Sequence, residues 1–415
     1  MKSFARKADR LLVILSDIEM GSGGPEDDFP HSDFLADLLQ TYNGEGYRDI
    51  AIDLIFNGDT FDLLKTDYQG KYPRHVSADV ALDKMARVAN AHRPFFEGVR
   101  RFLDHTAAPR RAIFVVGNHD MELFFPAVQR LIQDRINDPD GGPETNPKPV
   151  ADGKLLFAGI DFSIGRVHIE HGSQADALFR VDATNPFLDH NGQRLLNISW
   201  GAAALMDTVI PFKPLLYFHD RLIPKNDAFN LIPEIKELLM GRIWKYWTRD
   251  YWKDWLAGGD PTRKLTWTMV SEVVSRLRSQ DVEIKISAAF QNRMRSDDRF
   301  LLYVIGHEHE SGWWSYSNRK VLQTSCLRNE YALLNGGGTL QPMPKSFAEV
   351  YMRGDSPIIS QLIEIEGPPP PRGYLPDSIF AVLPKVRELL GSEAERAAAS
   401  AAQHRQEKRE ANDDG

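Results

Sequence analysis

Five short polar strings hold the residue types that bind metals or move protons: "DIE" at 17–19, "GDTFD" at 58–62, "GNHD" at 117–120, "EHG" at 170–172 and "GHEH" at 306–309. A lone histidine is most often a satisfied core residue, but His119, His171, His307 and His309 all stand in glycine-rich polar strings. Residues one apart after a strand point to the same side, so His307 and His309 can reach a common site while Glu308 points away. The same spacing pairs Asp17 with Glu19. These two carboxylates could form half of a metal site, a helix cap with a solvated neighbour, or a metal motif with one ligand changed. Carboxylates, an amide and imidazoles together form a donor set suited to divalent cations.

The elements that must position these strings are legible in the apolar pattern. "LLVIL", "IAIDLIF" and "RAIFVV" read as strands, each running into a polar string. Between them "SDFLADLLQTY" and "SADVALDKMARVANAH" read as helices, with Ser32 and Ser77 as expected N-caps. Strands alternating with helices build a mostly parallel sheet, whose carboxyl-terminal edge gathers ligands. "KLLFAGI", "DFSIG" and "RVHIEHG" read as a hairpin-rich second sheet, which "FLLYVIGHEHE", "KVLQTSC" and "PIISQLIEIE" continue.

The expected divisions are a core in two parts, 1–173 and 300–367, interrupted by a helical insertion at 174–299. A proline linker and charged tail follow at 368–415. In the insertion Trp244, Trp247, Tyr251 and Trp255 fall on one helical face, with Arg242, Lys245, Arg249 and Lys253 nearby. That face either packs the insertion onto the body or forms a lid or membrane-skimming surface. "DSIFAVLPKVRELL" in the tail could dock as a helix.

At 415 residues the chain exceeds a single core, so more than one structural unit is expected. A net charge of −8 gives no global attraction to nucleic acid or anionic lipid, so an anionic partner must meet a local basic patch or a bound cation. Cys326 is the only cysteine, which excludes an intrachain disulfide and fits a cytoplasmic setting. No apolar run is long enough to span a membrane.

In order and chemistry the five strings resemble the calcineurin-like metallophosphoesterase family over 11–172 and 300–326. The family pattern is Asp-x-His, Gly-Asp-x-x-Asp, Gly-Asn-His-Asp/Glu, His-Gly and Gly-His-x-His. The resemblance implies an α/β fold, a two-sheet α/β/β/α metallophosphoesterase sandwich with a large helical insertion. It further implies two divalent ions bridged by Asp59, with Asp17, Glu19 and His309 around the first and Asn118, His171 and His307 around the second. His119 would act beside the phosphate with Asp120 orienting its ring, and Asp62 would fix a ligand from behind. The implied activity is hydrolysis of a phosphoester, a phosphodiester or pyrophosphate foremost, by hydroxide generated at the metal.

Where the family has histidine in its first string, this chain has Glu19. A carboxylate favours Mn²⁺, Mg²⁺ or Fe²⁺ over Zn²⁺, and Mn²⁺ is the expected ion. "SDIEMGSG" and the long insertion look most like the UDP-2,3-diacylglucosamine hydrolase-like branch, which suggests a small-molecule or lipid-linked substrate and peripheral membrane contact. Hydrolysis of nucleotide or nucleic-acid phosphodiesters stays open. So does a non-catalytic scaffold that binds a protein or membrane partner.

Overall fold

The computed structural model describes residues 8–139, 149–223, 229, 233–251, 260–262, 269, 271, 286–334, 339–369 and 381–392. The three apolar runs become β1 (Arg10–Leu15), β2 (Ala51–Asn57) and β3 (Arg110–Val115), paired in parallel, with β4 (Leu155–Phe157) added in parallel beside β3. Beyond β1 the sheet continues antiparallel through β15 (Lys345–Arg353) and β16 (Ser356–Ile365). A five-stranded second sheet contains β5 (Asp161–Ile164), β6 (Val167–Glu170), β10 (Leu302–Ile305), β11 (Gly312–Tyr316) and β12 (Arg319–Gln323). In it, β6 and β12 both run parallel to β10.

β1 is buried on both faces, so its continuous apolar run serves two cores. Leu11, Val13 and Leu15 join a cluster with residues of α1 (Ser32–Thr41), α2 (Ala78–Ala91), α3 (Arg93–Leu103) and α4 (Pro126–Asn137). Leu12 and Ile14 turn the other way and pack with Val167, Ile169, Leu302 and Val304 of the second sheet. Behind that sheet, Phe290 and Met294 of the helix Ser287–Ser296 pack on Tyr303, Ile305 and Val321. The chain is thus a mixed α/β protein, with apolar layers on both sides of its central strands.

The structure changes several sequence expectations. "KLLFAGI" and "PIISQLIEIE" supply β4 and β16 to the first sheet, not the second. A strand's own residues favour extension but do not choose its partner. β4 follows α4 as a parallel crossover, whereas a two-residue turn at Gly354-Asp355 folds β16 back on β15. The segment 174–299 is not uniformly helical. It holds the hairpin of β7 (Phe187–His190) and β8 (Gln193–Leu196), joined by Asn191-Gly192 with both φ positive. Ser77 caps α2 as expected, but Ser32 makes no cap and bonds His92 instead.

The chain divides into two compact units. The first is Met1–Pro211, Ala257–Asn329 and Pro344–Gly367, and it contains both large sheets. The second is Phe212–Leu256, Glu330–Met343 and Pro368–Gly415. In it β9 (Leu222–Ile223), β13 (Tyr331–Leu334) and β14 (Thr339–Pro342) form a small sheet. Residues 381–392 form a helix, with Val386 buried and Arg387 paired to Glu234 at 2.8 Å.

The aromatic face of this second unit differs from the periodic expectation. The helix Pro233–Lys245 passes into a π-turn at Tyr246–Asp250, which shifts the phase of the residues that follow. Tyr246 and Tyr251 are buried, while Trp244 is 69% exposed. Lys253 and Trp255 lie outside the described residues. Among the described residues no helix is long and apolar enough to cross a membrane.

Candidate metal centre

All five polar strings meet at one rim of the first unit. Asp17 follows β1, Asp59 follows β2, Asn118 and His119 follow β3, His171 follows β6, and His307 and His309 follow β10. Backbone bonds tie the turns together: Asp17 N–H donates to Gly58 O at 3.2 Å and Glu19 N–H to Asp59 O at 2.8 Å. Gly306 N–H donates to His171 O at 2.8 Å, and Asn57 Nδ2 to Glu170 O at 2.9 Å, which joins the two sheets.

Asp17, Glu19, Asp59, His307 and His309 all have positive φ, between 49° and 75°. They make up five of the eight such non-glycine residues among the described residues. Left-handed backbone costs roughly 1 kcal/mol or more per residue, and such strain concentrates where a site fixes its side chains. The pairing of Asp17 with Glu19 and His307 with His309 therefore comes from left-handed turns, not from extended strands. Close approach explains the neighbouring glycines: a Cβ on Gly117 would strike Asp59, and one on Gly306 would strike Ser16 and Asp17.

On one side of the centre, donors of Asp59, His171 and His307 converge closely enough to hold an ion. His171 Nε2 lies 3.1 Å from Asp59 Oδ2 and 3.1 Å from Asn118 Oδ1. Its Nδ1 donates to the Asn57 carbonyl at 3.1 Å, which fixes the ring and leaves Nε2 toward the centre. Burial opposes charge on this ring, yet Asp59 and Asp17 hold its pKa up to about 10. His307 lies 3.6 Å from Asp176, a neighbour not anticipated from sequence, and burial lowers its pKa. Burial also works against the Asp59 carboxylate, but His171 and His119 keep it below its ordinary value.

On the other side, His309 Nε2 is 3.4 Å from Asp17 Oδ1 and 3.5 Å from Glu19 Oε1. Burial disfavours the Asp17 carboxylate, yet His171 and His309 lower its pKa to about 2. Glu19 is fully inside rather than turned to solvent. Its Oε2 accepts from Lys65 Nζ at 2.7 Å and from Arg328 Nη1 at 2.9 Å, and both cations are buried. Despite burial, Arg328 and Lys65 hold the Glu19 carboxyl well below its usual range. Lys65 also meets Asp28 at 2.8 Å and Asp62 at 3.4 Å. Neither cation was anticipated. Lys65 stands three residues after Asp62, and Arg328 reaches Glu19 across 309 positions of sequence.

His119 sits at the edge of the cluster with 15% of its side chain exposed. Its ring partner is Asp62 at 3.0 Å, not Asp120 as expected. Asp120 instead accepts from the backbone N–H groups of Gly117 at 2.7 Å and Thr60 at 2.8 Å, so its carboxylate braces the two loops. Burial and the Asp59 charge push Asp120 up to about 7. Burial opposes protonation of His119, but Asp59, Glu19 and Asp62 raise its pKa to about 9. Glu19, Asp62 and His119 also converge closely enough to hold an ion.

The glycine-rich turn after Glu19 is fastened from behind. Asp27 accepts from the backbone N–H groups of Gly21, Gly23 and Phe29, and from His92 Nε2 at 2.8 Å. His92 Nδ1 in turn meets Ser32 Oγ at 2.6 Å. This Ser-His-Asp chain is buried throughout and works as a structural tie rather than a nucleophile relay.

The donor set suits a divalent cation. Carboxylates, an amide oxygen and imidazoles converge, and the buried Asp17 Oδ1 accepts no hydrogen bond. No family model and no curated protein matches the chain.

Proposed function

We propose that this chain is a metal-dependent phosphoesterase of the calcineurin-like metallophosphoesterase type, built as an α/β/β/α sandwich, and that it acts on a phosphodiester or pyrophosphate. The observation that carries the reading is the convergence of five separated strings on one rim, with five of their acidic and histidine residues in left-handed backbone. A scaffold with no chemistry to perform has no use for that accumulated strain.

Asp59, Asn118, His171 and His307 would hold a divalent ion, with Asp17 and His309 beside it; Mn²⁺ suits this carboxylate-rich set best. A bound ion would supply the positive charge that gathers a phosphate and lowers the pKa of water. The rest is the work of the chain. His119, oriented by its Nδ1–H bond to Asp62, carries a proton at Nε2 near neutral pH. As water adds to phosphorus, losing one proton to solvent, and the bond to the leaving oxygen breaks, His119 gives that oxygen its proton. Asp120 contributes by keeping the 58–60 and 117–120 loops in register.

The test compares a generic phosphodiester, bis-nitrophenyl phosphate, with nitrophenyl phosphate after removal of metal and addition of Mn²⁺, Mg²⁺ or Zn²⁺. Metal-dependent turnover, fastest with Mn²⁺ and the diester, is expected. No turnover with any metal would leave the non-catalytic scaffold as the better account.

A further inference from the structure

The two sides of the centre balance their carboxylates by different means. On one side Asp59 meets the imidazole of His171 and the backbone N–H of His119; Asp17, 3.9 Å from His171 and 3.4 Å from His309, stands between the two sides and meets Ser16 and the backbone N–H of His307. An imidazole has a ring nitrogen able to ligate an incoming ion, and those of His171 and His307 converge with Asp59. On the other side Glu19, Asp28 and Asp62 share the side chains of Lys65 and Arg328, which are 7% and 3% exposed. An ammonium has no lone pair to offer, and a guanidinium does not deprotonate.

We propose that the centre takes one divalent ion, at Asp59, Asn118, His171 and His307, and that Lys65 and Arg328 fill the electrostatic place of a second ion beside Glu19. The inference rests on the metal-centre reading above and narrows it. Glu19 Oε2 already accepts two charge-assisted bonds, at 2.7 Å and 2.9 Å, the strongest kind a carboxylate makes. An ion captured by Glu19 would sit close to two positive side chains that are only 7% and 3% exposed.

Those side chains are held where they are. The backbone N–H groups of Leu327 and Arg328 both donate to the Asp17 carbonyl, so the segment bearing the guanidinium is tied to the first string. The Arg328 carbonyl accepts from buried Lys345. Lys65 has its own backbone N–H on Asp62 Oδ1 at 3.1 Å, while its ammonium spans three carboxylates. A neutral histidine at position 19 would leave this pair of cations short of one anion. The exchange of imidazole for carboxylate and the presence of Lys65 and Arg328 thus form one coherent change. His309 stays beside Asp17 and Glu19, at 3.4 Å and 3.5 Å, but as a neighbour rather than a ligand of its own ion.

The test is metal stoichiometry of the full chain, stripped with chelator and titrated with Mn²⁺ by calorimetry, with electron paramagnetic resonance on the same samples. One ion per chain and the signal of an isolated Mn²⁺ are expected. Asp59→Asn should abolish that binding, and Glu19→Gln should change its affinity less than tenfold. Two ions per chain, or a spin-coupled pair, would overturn the inference while leaving the metal-centre reading intact. No ion at all would overturn both. Loss of the single ion in Glu19→Gln with retention in Asp59→Asn would place it on the wrong side and also defeat the inference.

Discussion

The Glu19 side and the Asp59 side of the centre both bury carboxylates, yet they differ in what neutralises them. Lys65 and Arg328 serve one; His171 serves the other. Burying a charge is tolerated only when it is paired, and the identity of the pair decides what happens when one member leaves. An imidazolium can become neutral. A guanidinium cannot. One side therefore behaves as structure, and the other can exchange its protons for a metal.

The sharpest way to break the comparison is to remove one carboxylate from each side in metal-free protein. Glu19→Ala takes from buried Arg328 its carboxylate at 2.9 Å, while Lys65 keeps Asp28 and Asp62, and should cost about 3–5 kcal/mol in urea unfolding. Asp59→Asn leaves His171 free to lose its proton, so its cost should stay below about 2 kcal/mol. Equal losses would mean that the two sides are not different in kind.

His119→Asn tests whether the edge between the sides does chemistry. Turnover of a nitrophenyl diester should fall about 100-fold with metal content unchanged, the low end for general acids because nitrophenolate needs little protonation to leave. Substrates with alkoxide leaving groups should lose more. An unchanged rate with both kinds of substrate would remove His119 from the mechanism.

A smaller effect concerns the tie behind the turn. Burial works against the Asp27 carboxylate, but His92 and the backbone N–H groups of Gly21 and Phe29 hold its pKa below the ordinary 3.8. A carboxyl depressed in the folded state adds stability that is fully present above 3.8 and is lost as pH falls through the folded value. Asp27→Asn should thus cost about 1–2 kcal/mol at neutral pH, with the gap to wild type closing below pH ~4. A gap that persists in acid would assign the effect to packing. Trp244→Ala, at a position 69% exposed, should shift stability by no more than about 0.5 kcal/mol.

The parts of this arrangement legible in sequence were those written locally. β1, β2 and β3 show as apolar runs because central parallel strands are buried on both faces, and each announces its polar string directly afterwards. β15 hid because its buried residues include Lys345, Ser346 and Glu349, which look like surface residues in one dimension. The Asn191-Gly192 turn was a readable hairpin signal that the helical character of its surroundings masked. Trp244 is exposed and Tyr246 buried on either side of the point where a π-turn begins, and no periodic count registers the phase shift that the turn imposes on the residues after it.

In the centre the convergence of the strings was legible and the partners were not. Asp62 rather than Asp120 holds His119, since the fold turns Asp120 toward the backbone N–H groups of Gly117, close by, and Thr60, 60 residues away. Ser32 bonds His92 over a similar span instead of capping its helix. Lys65 and Arg328 carry no motif at all. Their meaning depends on a carboxylate standing where the resembling family has an imidazole, and only three-dimensional pairing brings the three together.

Anomalous diffraction from crystals grown with Mn²⁺ tests the central claim most directly. A peak within coordinating distance of Asp59, Asn118, His171 and His307 is the expected result. Crystals with no peak there, or with Mn²⁺ only among Glu19, Asp62 and His119, would contradict it.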